Sequence, residues 1–212
     1  MKKVLLIGDS IRKGYDTFVK LSFKDKADVF FPSDNCRFAG YVFRNLIEWK
    51  NNLCCGNDVD VVHWNAGLWD CLIMFDEKPF TPLDLYIDYV DRACKLMKKI
   101  FPKAKMIFAT STPVREKLYV GDYKRFNSDI ELYNEKAIEV IKKNGGEIND
   151  LYNTVKNCPV DFYSDMTHLY TEEGTRLVTD KVISVLEKAL GVKANKLNYK
   201  ELFSEQQDVT GL

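Results

Sequence analysis

The chain has 212 residues and 46% of them are hydrophobic, which suits one domain with a full core. Its 31 basic and 31 acidic residues cancel, so no broad electrostatic attraction to nucleic acid or to an anionic membrane is expected. No stretch approaches the ~18 apolar residues of a membrane span. The six cysteines (Cys36, Cys54, Cys55, Cys71, Cys94 and Cys158) form no C-x-x-C pattern and only two histidines accompany them, which argues against a zinc site or any other bound metal.

The N-terminus, Met1-Lys2-Lys3 before Val4-Leu5-Leu6-Ile7, looks superficially like the start of a signal peptide. The apolar run is short and ends at Gly8-Asp9-Ser10 with no small-residue cleavage site. It reads as a buried first strand, residues 3–7, and the expected compartment is the cytoplasm, with the cysteines reduced. Residues 28–31, stopped by Pro32, form a predicted second strand. Val42, Phe43, Leu46, Ile47 and Trp49 give residues 40–53 a helical period. Residues 59–66 are nearly continuous in apolar side chains, as in a parallel strand buried on both faces. Thr81-Pro82 opens a helix that reaches Ile100, with Pro102 just beyond it. Residues 105–109 are the fourth strand, residues 128–144 a helix closed by Gly145-Gly146, and residues 147–149 a short fifth strand. The last helix spans 171–190, with Thr171 as a cap and Gly191 as its stop. Lys95, Lys98, Lys99, Lys103 and Lys105 read as one solvated helix face. Residues 1–190 are expected to form a single domain. Residues 191–212 form a polar tail that wraps the surface or is partly disordered.

This alternation of strand and helix predicts an α/β fold, a three-layer α/β/α sandwich around a parallel sheet with right-handed connections. Ligands of such sheets bind beyond the carboxyl ends of the strands. That rule singles out Asp9-Ser10, residues 65–70 and residues 110–115.

With two histidines, the options for a base near neutral pH are few. His63 lies inside the apolar run Val61-Val62-His63-Trp64 and reads as a hydrogen-bonded core residue. His168 lies in the polar loop Tyr163-Ser164-Asp165-Met166-Thr167-His168, just ahead of the last helix. Asp165, three residues upstream, can fold back to fix the imidazole tautomer, or it can simply accept backbone N–H bonds at the helix entry. Ser10 directly follows the first strand, at the sheet's carboxyl edge. There it can serve as a nucleophile with its own N–H free for an oxyanion, or it can cap a turn. The chain contains no G-x-S-x-G elbow.

Gly8-Asp9-Ser10-Ile11 near the N-terminus, together with Asp165-x-x-His168 before the C-terminal helix, resembles the GDSL/SGNH hydrolase family over residues 4–190. The resemblance implies a flavodoxin-like five-stranded sheet. It also implies hydrolysis of acyl esters, often acetyl or other acyl groups on carbohydrates. Ser10 would be the nucleophile, His168 the base and Asp165 its orienting acid. Water would complete the reaction, with no organic cofactor.

The middle motifs fit less closely. The family uses a backbone N–H from the loop after strand two, for which Gly40, Cys36 and Arg37 are the candidates. It also uses an asparagine in G-x-N-D after strand three. In Asn65-Ala66-Gly67-Leu68-Trp69-Asp70, aligned on Gly67 and Asp70, Trp69 takes that place. Asn65 and the Trp69 indole are the alternative third donors beside the Ser10 N–H. Asp9, Arg37 and Trp69 are the candidates for touching the substrate, a small-molecule or carbohydrate ester, and Arg115 is a further loop cation. An acyltransferase or thioesterase would use the same three residues. A non-catalytic binding module is the other rival, suggested by the altered G-x-N-D. A nucleotide-binding flavodoxin is disfavoured, because Ile11-Arg12-Lys13 stands where a glycine-rich phosphate loop would follow strand one.

Overall fold

The computed structural model describes residues 1–203. Five strands, β1 (Lys2–Ile7), β2 (Ala27–Phe30), β3 (Val61–Trp64), β4 (Lys105–Ala109) and β5 (Glu147–Asn149), form one sheet in the order β2-β1-β3-β4-β5. Every neighbouring pair is parallel. This is the flavodoxin-like order, whose switch point lies between β1 and β3. The central strands are apolar throughout because both of their faces are covered: Val4, Leu5, Leu6, Ile7, Val61, Val62 and Trp64 have no exposed surface. The edge strand β2 alternates buried and half-buried positions instead.

Helices α1 (Ser10–Ser22) and α6 (Glu172–Leu190) pack together, and the short α5 (Leu151–Val155) lies against α6. Helix α3 (Leu83–Ile100) packs between α2 (Ala39–Asn52) and α4 (Asn127–Lys143). The connections therefore give the three-layer sandwich expected of a parallel sheet. Thr171 caps α6 by accepting the Gly174 N–H, and Gly191 ends it in the left-handed region (φ 69°), as its sequence suggested. No described helix is long and apolar enough to cross a membrane.

Several boundaries differ from expectation for physical reasons. Helix α1 has no clear apolar stripe in sequence, since its buried face contains Arg12 and Asp16 as well as Ile11, Tyr15, Phe18 and Val19. Strand β3 stops at Trp64, not at residue 66, so Asn65 lies at the carboxyl edge of the sheet. Pro82 stays extended and precedes α3 instead of entering it. The lysine run is not one helix face: Lys95, Lys98 and Lys99 lie on α3, but Lys105 begins β4 and donates to the Ala189 carbonyl at 2.8 Å.

His63 is a core residue. It has no exposed surface, and its ring lies between the Tyr15 hydroxyl (3.5 Å) and the Asn149 amide (3.0 Å). Burial pushes its pKa down to about 4, so the ring is neutral at physiological pH. Residues 192–203 lie back across α1 and α6. The Asn195 N–H donates to Ser22 O at 2.7 Å, Tyr199 stacks on Phe18, and its hydroxyl donates to Asp180. The rest of the expected tail, residues 204–212, lies outside the described residues.

Candidate active site

The turn from β1 into α1 follows from Asp9. Its carboxylate accepts the Ile11 N–H at 2.9 Å and caps the helix, which places Ser10 as the first helical residue at the switch point. The Ser10 N–H has no acceptor among the described residues. Gly8 is needed here for close approach: a Cβ at this position would stand 1.9 Å from the Asn65 Oδ1.

The other half of the site is the loop between residues 163 and 168. The Ser164 N–H donates to the His168 carbonyl at 2.8 Å, closing the loop on itself. Asp165 Oδ1 accepts the N–H groups of Thr167 (2.6 Å) and His168 (2.8 Å). Its Oδ2 accepts from His168 Nδ1 at 2.7 Å. The opposite ring nitrogen, Nε2, stands 2.8 Å from Ser10 Oγ. One Asp165 oxygen therefore holds the turn and the other faces the ring. Partial burial pushes the Asp165 carboxyl up, but the His168 ring and the two backbone N–H groups outweigh that and keep it below the usual carboxylate range.

The loop is braced from outside. The Arg115 N–H donates to Met166 O, and the Tyr163 hydroxyl donates to Pro113 O. Thus residues 112–115, after β4, brace the loop that carries His168 and do not face a substrate through those bonds. Tyr119 shares a 2.6 Å hydrogen bond with Thr167, and Arg125 donates to both Tyr119 and the Leu68 carbonyl. Arg125 therefore joins the loop after β3 to the loop that carries His168.

Tyr170 stacks on the His168 ring, with centroids 4.6 Å apart and planes 25° from parallel. Its hydroxyl donates to the Ser10 carbonyl at 2.5 Å. Sequence reasoning missed both residues. Arg125 left no signal, since Leu68 lies far along the chain and its link to the His168 loop runs through Tyr119 and Thr167. Tyr170 did leave one: in extended backbone it shares a face with His168 two residues earlier, while Leu169 points into the core.

Several expected site residues are placed differently. Asp9 does not contact a substrate from its position: it has no exposed surface and serves as the helix cap. Burial raises its pKa, opposed by the Asn65 carboxamide, the Ile11 N–H and the nearby Arg125 and His168. In the loop after β2, the Cys36 N–H is committed to Gly8 O (3.0 Å) and the Arg37 N–H to Asn35 Oδ1 (2.9 Å). Neither is free for an oxyanion. Gly40 is the second residue of α2, within the first turn, where N–H groups lack intrahelical acceptors. The Arg37 guanidinium lies over the Tyr41 ring (5.0 Å), 3.8 Å from Asp34, within its own loop. Trp69 is half-buried in the loop after β3, and Asn65 is 3% exposed beside Gly8. Asp70 accepts the Ala39 N–H at 3.1 Å, so it caps α2 from another loop because Phe38 offers no capping side chain. Burial pushes its pKa up to about 7. No group of three or more His, Cys, Asp or Glu residues among those described could hold a metal ion.

A flavodoxin-like sandwich of this kind has counterparts among known proteins. No family model matches the chain. A curated relative, the GDSL esterase/lipase WDL1 of Oryza sativa subsp. japonica, is 25% identical over 144 residues, covering 63% of this chain and 51% of the rice protein. The chain thus spans about half the length of that relative. Among solved structures, the acetyl xylan esterase AlAXEase superposes with a TM-score of 0.68 at 20% identity, covering 87% of this chain and 99% of that one. A GDSL-like lipase from Bacteroides thetaiotaomicron gives 0.68 at 20% identity, covering 89% of each chain. A lipase/acylhydrolase from Enterococcus faecalis gives 0.64 at 18% identity, over 93% of this chain and all of that one. At these identities the structural likeness speaks for the fold. The chain is thus similar in sequence to a GDSL esterase/lipase and in fold to GDSL-like lipases and acylhydrolases.

Proposed function

We propose that this protein is a serine esterase that hydrolyses small acyl esters, including acetyl esters of carbohydrates. The observation that carries this reading is the hydrogen-bonded line from Ser10 Oγ through His168 to Asp165 at the carboxyl edge of the sheet.

In this mechanism His168 Nε2 takes the Ser10 proton as Oγ attacks the ester carbonyl carbon. The negative charge that develops on the carbonyl oxygen is met by the Ser10 N–H, with Asn65 and the Gly40 N–H as further donors. Asp165 keeps the Nδ1 proton in place and stabilises the imidazolium. The tetrahedral intermediate collapses as the C–O bond to the alcohol breaks, and His168 returns its proton to the departing oxygen. A water molecule then gives a proton to His168 and attacks the acyl-serine. Collapse of the second tetrahedral intermediate frees the acid and restores the Ser10 hydroxyl. Carbohydrate esters are named because the acetyl xylan esterase superposes over nearly its whole length, and because the half-buried Trp69 in the loop after β3 supplies an aromatic ring of the kind that stacks on sugars.

The test is hydrolysis of p-nitrophenyl esters from acetate to octanoate by wild type and Ser10→Ala, followed by acetyl release from an acetylated xylan. Ser10-dependent turnover, greatest for the short chains, is the expected result. Equal background rates from both proteins on all of these substrates would remove the esterase reading.

A further inference from the structure

We propose that Tyr170 is a positioning residue for the base and the nucleophile together, its ring holding the plane of the His168 imidazole and its hydroxyl tying that ring to the first turn of the helix that carries Ser10. The inference rests on the proposed roles of Ser10 and His168.

Three independent features support it. The two rings lie nearly parallel at 4.6 Å, so the imidazole cannot swing away from Ser10 on that side without breaking the stack. The Tyr170 hydroxyl reaches the Ser10 backbone carbonyl at 2.5 Å. One side chain therefore touches both partners of the 2.8 Å Ser10–His168 hydrogen bond. Finally, α1 makes room for the ring. Gly14 sits inside that helix, where glycine is unfavourable relative to alanine, and a Cβ there would stand 2.7 Å from Tyr170 Cε1. Glycine at this position lets the edge of the aromatic ring pack closely against the helix that carries Ser10.

The stack also places a π face on the imidazole at the stage when it carries the serine proton, which favours the cation. Burial lifts the Tyr170 hydroxyl to about 12, so it remains a donor across the neutral range. The other ionisable groups around the pair are Asp165 on the His168 loop and Asp9 at the end of β1. The positive charges of Arg125 and Arg12 act on Asp9 and on Tyr170 respectively without touching them. All four remain in the variants below, so a displaced pH profile reports the ring itself.

The experiment measures kcat and KM for p-nitrophenyl acetate against pH in wild type, Tyr170→Phe, Tyr170→Leu and Gly14→Ala. Tyr170→Phe keeps the stack and loses the hydroxyl, and kcat is expected to fall about threefold with the pH profile unmoved. Tyr170→Leu keeps apolar cover but loses the π face. There kcat falls at least about tenfold, KM stays near wild type, and the acid limb of kcat/KM moves to lower pH. Gly14→Ala pushes the ring from beneath and is expected to move the acid limb in the same direction with Tyr170 intact. Wild-type kcat and acid limb in both Tyr170→Leu and Gly14→Ala would overturn the proposal. Loss of activity in Tyr170→Leu that merely tracks a lower Tm, with the acid limb unmoved, would overturn it too. If wild type itself shows no Ser10-dependent turnover, the esterase reading has failed instead.

Discussion

Asp165 divides its carboxylate between two tasks for His168: Oδ2 receives the ring Nδ1 at 2.7 Å, while Oδ1 receives the residue's own backbone N–H at 2.8 Å. Asp165→Asn separates these tasks. The amide oxygen can go on accepting the Thr167 and His168 N–H groups, so the turn survives. The amide nitrogen then faces Nδ1 as a donor and forces the proton onto Nε2, the nitrogen that must accept from Ser10. We expect kcat to fall about 10³–10⁴-fold with little change in Tm. A loss below about tenfold would mean that the acid serves the turn alone.

Acidification tests two buried groups of opposite sign. His63 is depressed to about 4 by burial, so between about 4 and 6.5 the unfolded chain binds the extra proton and stability falls as pH falls. Asp70 is raised to about 7 by burial, so between its ordinary value of 3.8 and about 7 the folded chain binds the extra proton and stability rises as pH falls. In wild type the two slopes oppose each other over the shared window. Asp70→Asn is expected to lose stability more steeply than wild type from pH 6.5 to 4. His63→Gln, which keeps an acceptor for Asn149, is expected to lose it less steeply. Urea midpoints at half-unit pH steps measure both slopes, and parallel slopes in all three proteins would contradict the assignment.

What the sequence could and could not reveal follows from how each feature is encoded. The strands at the centre of the sheet were legible because burial on both faces demands unbroken apolar runs, as in Val4–Ile7. That Ser10, Asp165 and His168 come together was legible because each lies in a short local motif. Helix α1 was not, because its buried face contains an ion pair. The third oxyanion donor remained divided between Asn65 and Trp69, since a shift of two residues in where β3 ends changes which side chain reaches the edge. Asp9 looked like a binding residue because a carboxylate beside Ser10 does not reveal from sequence that it is turned inward as a cap. Arg125 and Asp70 act between loops distant in the chain, and no local pattern marks them.

The ion pair inside α1 makes its own prediction. Arg12 and Asp16 pair with side chains only 1% and 7% exposed. The Arg12 guanidinium also donates to the carbonyls of Asp34 and Gly8, tying the loop after β2 to the end of β1. Arg12→Met leaves the Asp16 carboxyl buried without its cation, at a cost of about 3–5 kcal/mol. Arg12→Met combined with Asp16→Leu removes both charges and is expected to recover most of that loss. Denaturant unfolding of the two variants decides the matter. A double variant no more stable than Arg12→Met would show that the ties to Asp34 and Gly8, and not the buried charge, dominate.

Asn65 and Trp69 remain to be separated as donors to the oxyanion. The Asn65 carboxamide is packed against Gly8, two residues before Ser10 at the sheet edge. The Trp69 ring lies farther along the same loop and is only half-buried. A side chain that donates only as the negative charge develops contributes to kcat and little to KM. Asn65→Ala is therefore expected to lower kcat about 10²-fold, while Trp69→Phe, which keeps an aromatic ring and removes the indole N–H, stays within about threefold of wild type. The reverse pattern would assign the donor to the indole. Two near-normal variants would leave stabilisation to backbone N–H groups alone, and the departure of this chain from G-x-N-D would then mark the loss of a side-chain donor and not its replacement.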